Sequence, residues 1–258
     1  MRASAALVAE PGGQDAAGAV RLPVQRSQAP LVLRRTPDAV YLVGGAGGPL
    51  GGDVLDLRIE VRDGAALRLR TAAASVALPG RRGEESVLTV RADVGAGGRL
   101  EYLPEPTVVA DGARHRVDVV VRLAAGAALV LRDEVILGRH GERGGSCRAR
   151  LHVDLAGAPL LRHELAVSGT DPASLGPAVL AGHRAAGSLL RVEPAWAGAG
   201  GEAPAGCAPG VAVMPLAGGP AVLVTALAGD ALTLRQRLSW RPAGVSAPRE
   251  QAGARRTG

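Results

Sequence analysis

"VLDLRIEVRDGAALRLRT", Val54 to Thr71, alternates apolar and polar residues on both sides of a turn at Gly64. Alternation with period two is the strand signal, because successive side chains of an extended chain point to opposite faces. Leu55, Leu57, Ile59 and Val61 form one apolar set, and Leu67 and Leu69 continue it after the turn. Arg58, Glu60, Arg62, Arg68 and Arg70 mark the wet face. Glycine at the turn supplies the positive φ that a tight hairpin needs. The stretch therefore reads as a β-hairpin with one buried face.

The same pattern returns along the chain. "SVLTVRADVGAGGRLEYL" turns near Gly97, "HRVDVVVRLAAGAALVLRDE" at Gly126 and "CRARLHVDLAGAPLLRHEL" at Gly157, at spacings of 33, 29 and 31 residues from Gly64 onward. A fifth copy, "PAVLVTALAGDALTLRQRL", turns at Gly229 after a longer insertion. One hairpin per roughly 30 residues implies a mainly β fold of stacked hairpins, solenoid-like or layered and open-edged. A β-sandwich is the alternative. One segment reads as helix, a short insertion near 171–187, with Asp171 as N-cap and Pro172 at the first helical position. Residues 1–241 are expected to form a single domain. The Arg-, Pro- and Gly-rich tail 242–258 is expected to be disordered.

Composition narrows the function. The 258 residues carry a net charge of +6, and all 30 cations are Arg. Such a balance ordinarily suggests nucleic acid, but only two Tyr and two Trp are available as stacking platforms. An acidic protein partner fits the charge better. The uncharged run Ala208–Gly229 is broken by Pro209, Pro215 and Pro220, too short in each piece to span a membrane, and reads as two strands and a turn. With two Cys and no secretory leader at the N-terminus, a cytoplasmic protein without membrane attachment is expected.

The glycine-rich loop "YLVGGAGGPLGGD", Tyr41 to Asp53, invites a phosphate-binding reading, which fails on chemistry. From Gly45 the third glycine of a Gly-x-Gly-x-x-Gly fingerprint is replaced by Leu50, and a strand pattern follows instead of a helix. A P-loop lysine is impossible in a chain with no Lys. No nucleotide is expected to bind, and the glycines are read as letting backbones cross closely. His140, Cys147, His152 and His163 lack zinc-knuckle spacing, although His152 and His163 lie on opposite arms of one hairpin. No nucleophile–base set stands out. Asp53, Glu101, Glu105, Asp111, Asp133 and Glu134 form the dense acidic set.

Four segments in order, "PLVLRRTPDAVYLVGGAGGPLGGDVLDLRIEV", "LRLRTAAASVALPG", "GGRLEYLPEPTVVADGARHR" and "LRDEVILGRHGERG", resemble the urease accessory protein D (UreD, or UreH) family across roughly Pro30–Leu165. The chain departs from the family pattern at Val76 and Ala77, where Lys and Tyr are usual, and at Glu105 and Pro106. The resemblance implies a non-catalytic scaffold, or chaperone, that binds accessory proteins F and G, docks on apo-urease and assists nickel delivery. It implies no small-molecule substrate, and nickel only in transit, through an internal polar passage. By motif position Asp53 (Gly-Gly-Asp), Asp111 (Asp-Gly-Ala) and Glu134 (before Leu-Gly-Arg) become the candidate nickel-path residues, with Gly138 and Arg139 as architecture. Isolated carboxylates suit such a path, since a few oxygen ligands replace lost hydration without trapping the ion. Removing Asp53 or Glu134 is expected to change stability little, as at surface positions. An all-β binding module for an unrelated ligand or partner is the rival reading, and an enzyme the third.

Overall fold

A computed structural model of the chain describes residues 1–12, 20–197 and 203–239. In chain order the strands are β1 (Arg2–Pro11), β2 (Val20–Arg26), β3 (Leu31–Arg35), β4 (Val40–Gly44), β5 (Val54–Val61), β6 (Ala66–Thr71), β7 (Ser75–Ala77), β8 (Glu85–Val94) and β9 (Arg99–Leu103). They continue as β10 (Thr107–Val109), β11 (Arg114–Leu123), β12 (Ala128–Leu137), β13 (Ser146–Leu155), β14 (Ala158–Ser168), β15 (Ala185–Val192), β16 (Gly206–Ala208), β17 (Val211–Pro215) and β18 (Ala221–Ala228). Helix α1 (Pro172–Leu175) precedes β15, and α2 (Ala231–Leu238) follows β18.

The strands form two facing sheets. One has seven strands in the order β14-β13-β11-β8-β5-β1-β2. The other has eleven: β16-β17-β18-β15-β12-β9-β6-β4-β3 in its main path, with β10 and β7 attached. The main apolar core lies between them and includes Leu7, Leu33, Leu57, Leu69, Leu100 and Leu129. The mainly β, solenoid-like expectation holds.

The arms of the first three repeats, however, are not hairpins. β5, β8, β11 and β13 pair in parallel in the seven-stranded sheet. β6, β9 and β12 pair in parallel in the other. Each Gly turn therefore carries the chain from one sheet across to the facing one, and the hydrogen-bond partners lie one coil away. The turns stack by the same rule: Gly95 N–H donates to Val61 O, Ala124 N–H to Val94 O and Ala156 N–H to Leu123 O. Alternation cannot distinguish an arch from a hairpin, because both put the apolar sets of the two arms toward one core. Positive φ serves both as well, at 67° for Gly64, 63° for Gly97 and 74° for Gly126. The fourth repeat is a true antiparallel hairpin, β13–β14 around Gly157. The fifth is a strand followed by helix α2, not a hairpin: Asp230 caps that helix by accepting from Thr233 N–H and its hydroxyl, both at 2.8 Å.

The short insertion helix is one turn long. Asp171 accepts from Ala173 N–H and Ser174 N–H, and Pro172 opens the turn as its fixed φ predicts. The uncharged run does form two antiparallel strands, β17 and β18, joined by a turn. Among the described residues no helix is long and apolar enough to cross a membrane. The tail 242–258 lies outside the described residues. The edge strand β3 is closed locally: Leu33 N–H donates to Ser27 Oγ at 2.9 Å, and Gln25 Nε2 donates to Leu33 O at 3.2 Å. Side chains thus occupy edge groups that could otherwise pair with another chain.

Candidate functional site

Strand β12 puts two kinds of chemistry on its two faces. Leu129, Leu131, Val135 and Leu137 point inward, and Asp133 shares their parity. Arg132 and Glu134 point outward, beneath helix α2. A one-residue step therefore separates an interior carboxylate from an exterior one.

The outer carboxylate is held by arginines. Glu134 has a fully buried side chain, and Arg235 of α2 grips it with Nε at 2.9 Å from Oε1 and Nη2 at 2.5 Å from Oε2. Arg132 Nε lies 3.2 Å from the same Oε2. Arg235 also reaches Glu105 Oε2 at 3.2 Å, and Arg132 Nη2 donates to Pro104 O at 2.9 Å. The bond to Glu134, followed by that to Glu105, raises the Arg235 pKa, while burial lowers that of Arg132. Helix α2 buries Leu234 and Leu238 on an apolar cluster with Val130, Leu189, Val222 and Val224, and Arg235 clamps it there. Glu134 is therefore not a surface residue. The small stability change expected for its removal is corrected by this burial and double pairing.

Asp53, in the glycine loop, is also buried, at 4% exposure. Its Oδ1 accepts from the Met1 amino nitrogen and its Oδ2 from Leu50 N–H, both at 2.9 Å. The loop leads into β5, as its strand pattern predicts. Its glycines admit a neighbouring backbone: a Cβ on Gly51 would collide with Glu84 O and Gly80 N. Close backbone crossing is thus what the glycines provide. Asp111 is exposed, in the turn between β10 and β11. Its N–H donates to Glu142 Oε2 at 3.2 Å. Glu142 also binds Arg139, and that side chain is the first cause of its low pKa, about 2. The Leu-Gly-Arg segment and the Asp-Gly-Ala turn are joined in this way.

The interior polar residues fall into a belt. Asp133 is directly opposite Ser188 on β15, and Ser188 is opposite Thr225 on β18. On all three strands the belt divides two apolar clusters, with Leu131, Leu190 and Leu223 on one side and Val135, Ala186 and Leu227 on the other. Tyr102 comes next on β9, in register with Leu131. Among the described residues Asp133 has no ion pair. Burial, and then the charge of Glu134, push its carboxyl up to about 6, with a backbone hydrogen bond opposing. The residue as a whole still keeps some solvent contact. Its charge adds to burial in raising the Tyr102 and Cys147 pKa values.

The histidines and cysteines do not converge. Among the described residues no three His, Cys, Asp or Glu side chains could hold a metal ion together. His163 is opposite Leu151, on the inner face, whereas His152 is opposite Arg162, on the outer face. A hairpin places neighbours across the ladder, but a one-residue offset sends their side chains to opposite faces. Ser86 Oγ and His115 Nδ1 lie 2.8 Å apart, both buried, and burial lowers the His115 pKa to about 4. Cys147 is buried and Cys207 exposed.

The candidate that motif matching passes over is Asp133. Its signal was parity: it is the charged member of the inward set of a strand otherwise filled with Leu and Val. A raised carboxylate pKa implies a native state that binds more protons than the unfolded chain between about pH 4 and pH 6. Stability is therefore lost as pH rises through that window, and the loss persists above it. Asp133→Asn should stabilise the fold at pH 7.5 by about 1–3 kcal/mol, and the gain should vanish near pH 4. Thermal unfolding of both proteins at the two pH values measures the difference.

The family model described as "UreD urease accessory protein" matches residues 2–251. A Frankia alni protein named urease accessory protein UreD is 48% identical, over 93% of this chain and 91% of its own length. A Streptomyces griseus protein named urease accessory protein UreD 3 is also 48% identical, over 92% of this chain and 94% of its own. The Streptomyces coelicolor protein of the same family name is 44% identical over 92% of this chain.

Proposed function

The chain belongs to the UreD family of urease accessory proteins, and from that premise we propose that it is a non-catalytic scaffold that docks on apo-urease with accessory proteins F and G and assists nickel delivery. Nickel is cargo here, held briefly by oxygen ligands and released. The observation that carries this reading is Asp133, a carboxylate turned into the space between the sheets, without an ion pair among the described residues, with Ser188 opposite it on the adjacent strand and Thr225 one strand further along the belt.

An anionic oxygen with hydroxyl neighbours can replace part of the hydration of a divalent ion, and too few strong ligands converge to trap it. Of the three carboxylates expected on the path, Asp111 is the one open to solvent, where it can meet an ion first. Asp53 and Glu134 already spend their oxygens on nearby donors. Their contribution is to hold the glycine loop and helix α2 in place around the passage. Charge compensation by two guanidinium groups makes Glu134 a weak cation ligand while the clamp is closed.

The test is urease maturation with and without this chain. Urease produced beside accessory proteins F and G but without this protein should contain little nickel and show little activity, and restoring the chain should restore both. Full nickel content in its absence would remove the proposed role.

A further inference from the structure

The outward faces of both sheets pair most of their arginines with carboxylates. On the seven-stranded sheet Arg58, Arg62, Arg91, Arg122 and Arg150 each have a carboxylate within ion-pair distance: Asp56, Glu60, Asp56, Asp93 and Glu164 respectively. Such ladders offset most of the charge on the middle of the face; among the described residues Arg2 and Arg114, at the strand starts, have no carboxylate within 4.0 Å. The eleven-stranded sheet begins in the same way, with Arg68 paired to Glu101 and Arg99 to Glu193.

Toward its edge the pattern stops. Arg34 on β3 is directly opposite Tyr41 on β4, and Tyr41 is opposite Arg70 on β6. The three side chains form one row across three strands, with Arg34 exposed and Tyr41 and Arg70 half-buried. Among the described residues neither arginine has a carboxylate within 4.0 Å. The Arg34 guanidinium donates to the adjacent Leu33 O at 3.2 Å. Asp38, in the turn before β4, accepts from Thr36 Oγ1 at 2.6 Å; that bond leads the lowering of its pKa and the charges of Arg70 and Arg68 add to it, so Arg70 has this one exposed acid in its field but beyond ion-pair distance. Val32 and Val43, opposite each other on the same outward face, add an apolar flank.

We propose that the Arg34–Tyr41–Arg70 row is a docking surface for an acidic segment of a protein partner. Adjacent strands lie about 4.8 Å apart, so the two cationic positions stand about 10 Å apart with an aromatic ring between them. That arrangement takes two carboxylates flanking an apolar residue: guanidinium groups bind carboxylates in a planar fork, and Tyr41 with the valines covers the residue between. The chain's net charge of +6 favours approach of an acidic partner. Nucleic acid fits less well. A single ring offers no succession of stacked bases, and beyond Arg70 the next arginines, Arg68 and Arg99, are already paired with Glu101 and Glu193, so the row suits a short anionic segment and not a long phosphate backbone. The surface is on the outside of the sheet and stands apart from the interior nickel path.

Fluorescence anisotropy of the full chain with labelled poly-glutamate, at low salt, tests this, with poly-glutamine and single-stranded DNA as comparison probes. Arg34→Ala/Arg70→Ala should weaken poly-glutamate binding about tenfold. Arg58→Ala/Arg122→Ala removes the same charge from paired positions of the seven-stranded sheet and should change it by less than about twofold. Equal losses in both double variants would reduce the effect to net charge and overturn the proposal. So would absence of poly-glutamate binding to the unaltered chain, or DNA binding that alone depends on Arg34 and Arg70.

Discussion

Glu134→Ala should cost about 3 kcal/mol of stability, several times what an exposed carboxylate costs. Removing one partner of a buried ion pair leaves the other charge uncompensated, which typically costs about 3–5 kcal/mol. The lower end applies here because Arg235 keeps Glu105 at 3.2 Å and Arg132 keeps Pro104 O at 2.9 Å. Glu105→Ala, at a side chain 38% exposed, should cost only about 0.5–1 kcal/mol. Arg235→Ala should resemble Glu134→Ala, and the double variant should lose much less than the sum of the two, since each single change already breaks the same clamp. Denaturant unfolding of the four variants beside the unaltered chain measures all of this. A Glu134→Ala stability within about 0.5 kcal/mol of the unaltered chain would show that the clamp holds nothing.

Much of this arrangement was legible in the residues, and the parts that were not have physical reasons. Alternation in Val54–Thr71 and its repeats specified strands and a buried face, since parity along a strand is local. Which strands would pair was not local. An arch and a hairpin need the same apolar sets and the same glycine, and the choice depends on coils 29–33 residues away that supply the hydrogen-bond partners. The residues of helix α2 read as a strand because Leu232, Leu234 and Leu238 also fit a short alternating run. What distinguishes the helix is the cap, in which Asp230 accepts from Thr233 N–H.

Among the carboxylates, motif position pointed to Glu134, whereas strand parity pointed to its neighbour. Leu131 and Val135 face the core, so Asp133 must as well, and Glu134 must face out. What no pattern in the sequence announces is the partner of Glu134, because Arg235 lies 101 residues further along the chain.

The second large effect expected is on nickel. Asp133→Ala removes the interior anionic oxygen while the outer faces that partners would meet stay unchanged. The complex with accessory protein F and apo-urease should still assemble, and the urease it matures should contain several-fold less nickel. Asp133→Asn should be milder, since an amide oxygen still coordinates weakly. The Asn variant also separates transfer from folding. It relieves a buried charge whose pKa is pushed up to about 6 by burial, so the protein should be more stable at pH 7.5, not less. A drop in nickel with that variant cannot then be charged to unfolding.

The most direct measurement is the nickel content per urease active site after maturation with Asp133→Asn, taken by elemental analysis on purified enzyme beside the unaltered pair. The interior path predicts less nickel per site from a more stable accessory protein; nickel equal to that of the unaltered pair, with the variant folded and bound, would contradict it.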